Sequence, residues 1–235
     1  MNTLVFVMSF VICGLIQGLF SFGGGIIIMP ILSAFFDLKN VIIPVFSLYN
    51  IFSNIYSYLN YRSINIFKYK KLLFYGFLGN IIGSTIIMVL FSTDSLKIIL
   101  AIATIINIVF SSKIPKFSFD QHQFLAGFSS GVLGGAISLG NMGLVILYGK
   151  NEKNDLKSLV SSFCLFQNFI TLIIYIIYKR YNLQILLISL IAIFFGFISQ
   201  KIGTKISNKL TNSFFTKLLN AFLLIISIYL LFSAL

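Results

Sequence analysis

The sequence predicts an all-α polytopic membrane protein made of two inverted repeats, each a broken, glycine-rich re-entrant hairpin followed by three transmembrane helices. Three observations lead there. Of 235 residues, 58% are hydrophobic and 9% charged, with a mean hydropathy of +1.02, more than a soluble core of this size needs. Two of the apolar runs are interrupted by glycines where a membrane helix would continue. The basic residues, finally, divide unequally between the loops only if those two runs turn back.

The first run extends from Met1 to Phe36, longer than the roughly 20 residues that cross a bilayer. Gly23, Gly24 and Gly25, followed by Pro30, interrupt it, because glycine is conformationally loose and proline removes a donor. A break inside hydrocarbon strands backbone N–H and C=O groups, and is tolerated only where protein, a cavity or a ligand satisfies them. Residues 14–32 are therefore expected to build a ligand site at membrane depth. Further apolar segments fall at 41–60, 72–91, 98–112, 119–148 (broken), 158–178, 184–200 and 214–235, with polar loops between them. None alternates with a period of two, which excludes barrel strands. No charged region precedes the first run, so no removable signal peptide is expected. Cys13 and Cys164 form no CxxC pair and are expected to pack as small apolar groups. His122, beside Asp120, is expected at an interface with solvent. Tyrosines at 58, 61, 69, 75, 175, 178 and 181 fall at segment ends, as in an interfacial belt.

The second half echoes the first. Gly14 and Gly18 align with Gly127 and Gly131 at an offset of 113, which sets residues 23–30 opposite 136–143. Allowing small insertions, Ser47 and Asn54 match Ser161 and Asn168, and Gly83 matches Gly203. The repeats are 1–116 and 117–235, within one integral membrane domain. If both broken segments crossed fully, the basic residues would split almost evenly between the two sides. If both turn back, thirteen lie on one side, leaving Lys39, Lys97, Lys179 and Arg180 opposite. The second arrangement obeys the positive-inside rule. It gives two re-entrant hairpins, six full spans and repeats inverted across the membrane, a recurring transporter plan.

The first segment ending in GGGIIIMP, its counterpart GFSSGVLGGAISLGNMGLVILY, and the pair Gly79 and Gly83 resemble the sulfite exporter TauE/SafE family of membrane permeases. The resemblance covers essentially the whole chain. It implies a transporter of sulfite, organosulfonates or related small anions, usually outward. In the second copy, Gly140, Asn141, Met142 and Gly143 stand where the family has Gly-Gly-Pro.

An anion also suits the residues themselves. The five acidic residues all lie in loops or at segment ends, and no Lys or Arg falls mid-span. A cation site or proton relay would normally place a carboxylate within the membrane. Backbone N–H groups and half-helix ends at glycine turns hold anions instead. The expected substrate-binding residues are Gln17, Ser21, Gly23, Gly24 and Gly25 on the first hairpin, and Gly135, Ser138, Gly140 and Asn141 on the second. Asn50, Asn54, Gln167 and Asn168 join them from the helices that follow. Amide N–H groups donate to sulfur oxyanions without the desolvation cost of a buried cation.

No His pair, acidic dyad or metal-spaced cluster occurs within the spans, so neither an enzyme, a metal site nor a cofactor is expected. The net charge of +12 falls in short loops and reads as membrane orientation, not nucleic-acid binding. The expected partners are a small anionic substrate and the lipid bilayer of a plasma membrane, in particular a bacterial inner membrane. A homodimer is left open. The alternative function is a channel-like conduit for small anions or neutral solutes.

Overall fold

The computed structural model describes residues 3–33, 35–90, 117–138 and 140–211, with 213, 214, 217, 218 and 221. The expected segment 98–112 lies outside the described residues, and that at 214–235 almost wholly so. All regular structure among the described residues is helical. The elements are α1 (Thr3–Phe20), α2 (Gly24–Ser33), α3 (Ile43–Asn60), α4 (Lys70–Leu90), α5 (Gln123–Ile137), α6 (Met142–Tyr148), α7 (Lys153–Ile177) and α8 (Leu183–Lys209). A π-helical turn (Leu38–Ile42) precedes α3, and a 3-10 turn (Ile66–Tyr69) precedes α4. By length and hydropathy α1, α7 and α8 are each able to cross a membrane.

Both expected breaks occur. Helix α1 stops at Phe20, Ser21 and Gly23 take positive φ of 64° and 88°, and α2 restarts at Gly24. The second half repeats this: α5 ends at Ser138 with φ 55°, and α6 begins at Met142. After each break the chain folds back on itself. Gly24 lies against Cys13, and the Phe36 ring meets Phe6 edge-on at 5.8 Å, so α2 returns toward the start of α1. In the second half the Leu144 N–H donates to Ser130 Oγ at 3.0 Å, and Tyr148 OH donates to the Gln121 carbonyl at 2.6 Å.

Helix pairing crosses between the halves. Helix α1 packs along α8, α5 packs along α4, and α3 packs on α7. Glycine makes the first two pairs possible, because a side chain at Gly14 or Gly18 would enter the backbone of α8 at Gly196 and Gln200. On the other pair, Gly131 and Gly135 sit against the carbonyls of Gly76 and Asn80. Such small-residue contacts are the usual means of close helix approach in lipid. Gly14 and Gly18 thus meet Gly196 and Gln200 much as Gly131 and Gly135 meet Gly76 and Asn80.

The outer faces are apolar, whereas the inner faces combine apolar clusters with buried polar side chains. On α8, Leu190 and Phe194 are 63% and 61% exposed, whereas Ser189 and Gln200 are buried. That distribution suits a hydrocarbon surround. Two expected boundaries move: α7 starts at Lys153, inside the expected loop 149–157, and α8 continues to Lys209. The cause is a junction in which Lys153 Nζ donates to the carbonyls of Ser207 and Leu210, both at 2.9 Å, at the C-terminal end of α8. A cation at that end also complements the helix dipole. Lys157, buried, donates to Tyr61 OH at 3.2 Å and to Ser207 Oγ. Tyr61 and Tyr175, expected in an interfacial belt, are likewise buried, while His122 is exposed with its ring against Phe117.

Loop contacts sort into two ends. Residues 61–64, 117–121, 149–157 and 207–210 meet at one, through the lysine bonds above and Asn151 Nδ2 to the Phe117 carbonyl at 2.9 Å. At the other, Arg180 bonds Asn40, and Tyr181 OH meets Ser47 Oγ at 2.7 Å. Asp37 anchors that end: burial works against its ionisation, but hydrogen bonds from Asn40 and Lys39, with the Arg180 charge, outweigh burial and hold its carboxyl below the ordinary value. Single cysteines replacing Arg62 and Lys150 are expected to react with a membrane-impermeant maleimide from the same side, and one replacing Lys179 from the opposite side. Opposite labelling of positions 62 and 150 would rule this arrangement out.

Candidate functional site

The two breaks face each other across one small cavity. It is lined by Gln17, Ser21, Gly23 and Gly25 from the first broken segment and by Ser138 and Asn141 from the second. Phe46, Asn50 and Asn54 of α3 and Cys164 and Asn168 of α7 complete the wall. The space open to the centre of a water molecule is about 20 Å³, where a single water needs roughly 10–15 Å³. The cavity thus has room for only a compact group.

Each wall residue is placed by the local chain. Ser21 and Ser138 are the residues at which α1 and α5 stop, and their left-handed backbones turn each chain out of its helix. Gln17 steadies the first break by donating from Nε2 to the Ser21 carbonyl at 3.3 Å. Asn54 and Asn168 sit mid-helix on α3 and α7, and each donates from Nδ2 to the carbonyl one turn back: Asn50 O at 2.8 Å and Cys164 O at 2.6 Å. Helix α2 starts beside the cavity, and the N–H groups of a helix's first turn have no acceptor within their own helix.

Several buried polar atoms at the cavity have no partner among the described residues: Ser21 Oγ, Ser138 Oγ, Asn54 Oδ1 and Asn141 Oδ1. Their residues are 1%, 6%, 1% and 6% exposed, in that order. Leaving such a group unsatisfied costs about 1–3 kcal/mol. Four at one spot make a concentration of unmet hydrogen-bonding capacity that a polar guest would relieve.

Of the thirteen residues expected from sequence, nine line this cavity, and Gly24, Gly135, Gly140 and Gln167 do not. Gly24 lets α2 approach Cys13, Gly135 lets α5 approach α4, and Gly140 lies 3.3 Å, from an ideal Cβ, to the Cα of Gly134. Gln167 turns toward Gly76 of α4. Sequence reading missed Phe46 and Cys164. Cys164 follows Asn50 by 114 residues, the spacing that also separates Ser47 from Ser161 and Asn54 from Asn168.

It also missed a pair of clips that hold the cavity walls. Gln200 Nε2 on α8 donates to the Ser53 carbonyl and to Ser57 Oγ on α3, at 2.9 and 3.0 Å. Asn80 Nδ2 on α4 donates to the Gln167 carbonyl and to Thr171 Oγ1 on α7, at 3.3 and 3.1 Å. The signal was present in the sequence, since each amide stands three residues before the matched glycines Gly83 and Gly203. Asn80→Leu is expected to destabilise the fold by about 1–3 kcal/mol, read as a lowered midpoint of thermal unfolding in detergent. An unchanged midpoint would mean that the clip contributes nothing.

Among the described residues no group of three or more His, Cys, Asp or Glu side chains is placed to hold a metal ion. The sequence matches the profile of the family described as Sulfite exporter TauE/SafE over residues 6–230. No curated protein and no solved structure matches the chain.

Proposed function

Given that this chain belongs to the sulfite exporter TauE/SafE family of membrane transporters, we propose that it exports a compact sulfur oxyanion, sulfite foremost, by alternating access around the cavity between the two helix breaks. The observation that carries the reading is the set of unsatisfied buried polar atoms gathered there, beside the start of α2. Hydroxyl and amide groups bind an oxyanion without the cost of burying a cation, and the α2 dipole favours negative charge. The small volume favours an inorganic oxyanion over a longer organosulfonate.

In this proposal the substrate shell is Gln17, Ser21, Gly23, Gly25, Asn50, Asn54, Ser138, Asn141 and Asn168, with Gly24, Gly135, Gly140 and Gln167 supporting it from behind. The two repeats, 1–116 and 117–235, are inverted across the membrane, and each broken segment is a re-entrant hairpin. Reciprocal pairing of α1 with α8 and α5 with α4 supports that symmetry, as does the sorting of loops into two ends. The end rich in lysine faces the cytoplasm of a plasma membrane, in particular a bacterial inner membrane.

Purified protein in proteoliposomes is expected to carry labelled sulfite with saturation and counterflow, against sulfate, thiosulfate, sulfoacetate, taurine, acetate and chloride as competitors. Flux without saturation or counterflow would instead indicate a channel-like conduit. Gly24→Leu is expected to abolish the flux while leaving membrane insertion intact, because its side chain would enter Cys13 and Gln17 and force α2 away from the cavity. Normal flux in that variant would remove the site assignment.

A further inference from the structure

The orientation of two amides at the cavity bears on the protonation state of its guest. Asn54 and Asn168 occupy equivalent places on α3 and α7, and each directs its Nδ2 onto a backbone carbonyl of its own helix. That choice is forced, because an amide oxygen placed 2.8 or 2.6 Å from a carbonyl oxygen would bring two acceptors together. Both residues line the cavity. Asn54 Oδ1 is buried and has no donor among the described residues.

An amide oxygen only accepts. A fully deprotonated oxyanion also only accepts, so pressed against Asn54 Oδ1 it would leave that oxygen unsatisfied and repel it. A guest with one O–H resolves the conflict. Its hydroxyl donates to an asparagine oxygen, while its remaining oxygens accept from the α2 start and from Ser21 and Ser138, whose hydroxyls both donate and accept.

We propose that the cavity selects the hydrogen form of its oxyanion, hydrogen sulfite over sulfite, so that each substrate crosses the membrane with a proton. The inference rests on the transport reading above and specifies the species that is moved. It requires no carboxylate or histidine relay within the membrane, because the proton travels on the substrate.

The test uses wild-type proteoliposomes with an entrapped pH dye, with protein-free vesicles as the reference for passive leak. At constant total sulfite, protein-dependent flux is expected to follow the hydrogen sulfite fraction, falling about tenfold per pH unit on the alkaline side of its pKa. Flux into a lumen held more alkaline than the outside is expected to acidify it. Sulfate, a dianion throughout this range, is expected not to compete. In Asn54→Leu, which removes the acceptor together with the amide donor and keeps the branched shape, KM for hydrogen sulfite is expected to rise about tenfold and the pH profile to flatten, in protein whose melting profile shows it folded. Saturable flux that follows the dianion, or that leaves lumenal pH unchanged, overturns this inference and leaves the transport reading intact. Absence of saturable flux at every pH overturns both.

Discussion

A peptide group in hydrocarbon must have a hydrogen-bond partner, and this chain of a membrane-transporter family breaks two of its helices within apolar segments. The arrangement follows from that constraint. Ser21 and Ser138 take left-handed conformations to end α1 and α5, and the two breaks are set against each other so that their polar groups share one enclosure. The enclosure is finished by asparagines on α3 and α7, whose amides are in turn fixed by their own helices. A polar interior is thus assembled without burying any acidic side chain at the cavity.

Apolar burial does little to hold such a bundle together, because lipid tails are as apolar as leucine. Close backbone approach takes its place. Gly14 and Gly18 bring α1 onto α8, and Gly131 and Gly135 bring α5 onto α4. The amides of Gln200 and Asn80 then tie each outer pair to a central helix through two bonds apiece. At one end of the bundle, Lys153 and Lys157 fasten the start of α7 to the end of α8 and to Tyr61. Glycine stripes, amide clips and this junction act at different depths and so constrain the helices beside two buried apolar clusters, one around Phe10, Phe46 and Tyr49 and one around Phe22, Leu144 and Phe163.

Glycine runs and the clustering of lysines made the two breaks and the sorting of loops legible in sequence, since both signals reflect backbone and charge rules that hold for any membrane helix. Most of the cavity wall was legible for a related reason: Ser, Asn and Gln in apolar segments are costly enough to be conspicuous. What escaped were properties that only packing decides. Gly135 and Gly140 resemble turn glycines on paper, yet they serve helix contact. Gln167 occupies the face of α7 toward α4, one position from the face that carries Asn168. Lys157 read as a loop residue because its partners at Tyr61 and Ser207 are far away in the chain.

The crossed pairing of helices also bears on how the molecule is made. Helix α1 emerges first from the ribosome, but the helix that covers its glycine face, α8, comes last among the described elements. During synthesis the first helix therefore waits in the membrane with Gly14 and Gly18 uncovered, whereas α5 meets its partner α4 as soon as it is inserted. Among the described helices the α5–α4 contact is thus available before the α1–α8 contact, which waits until α8 is made.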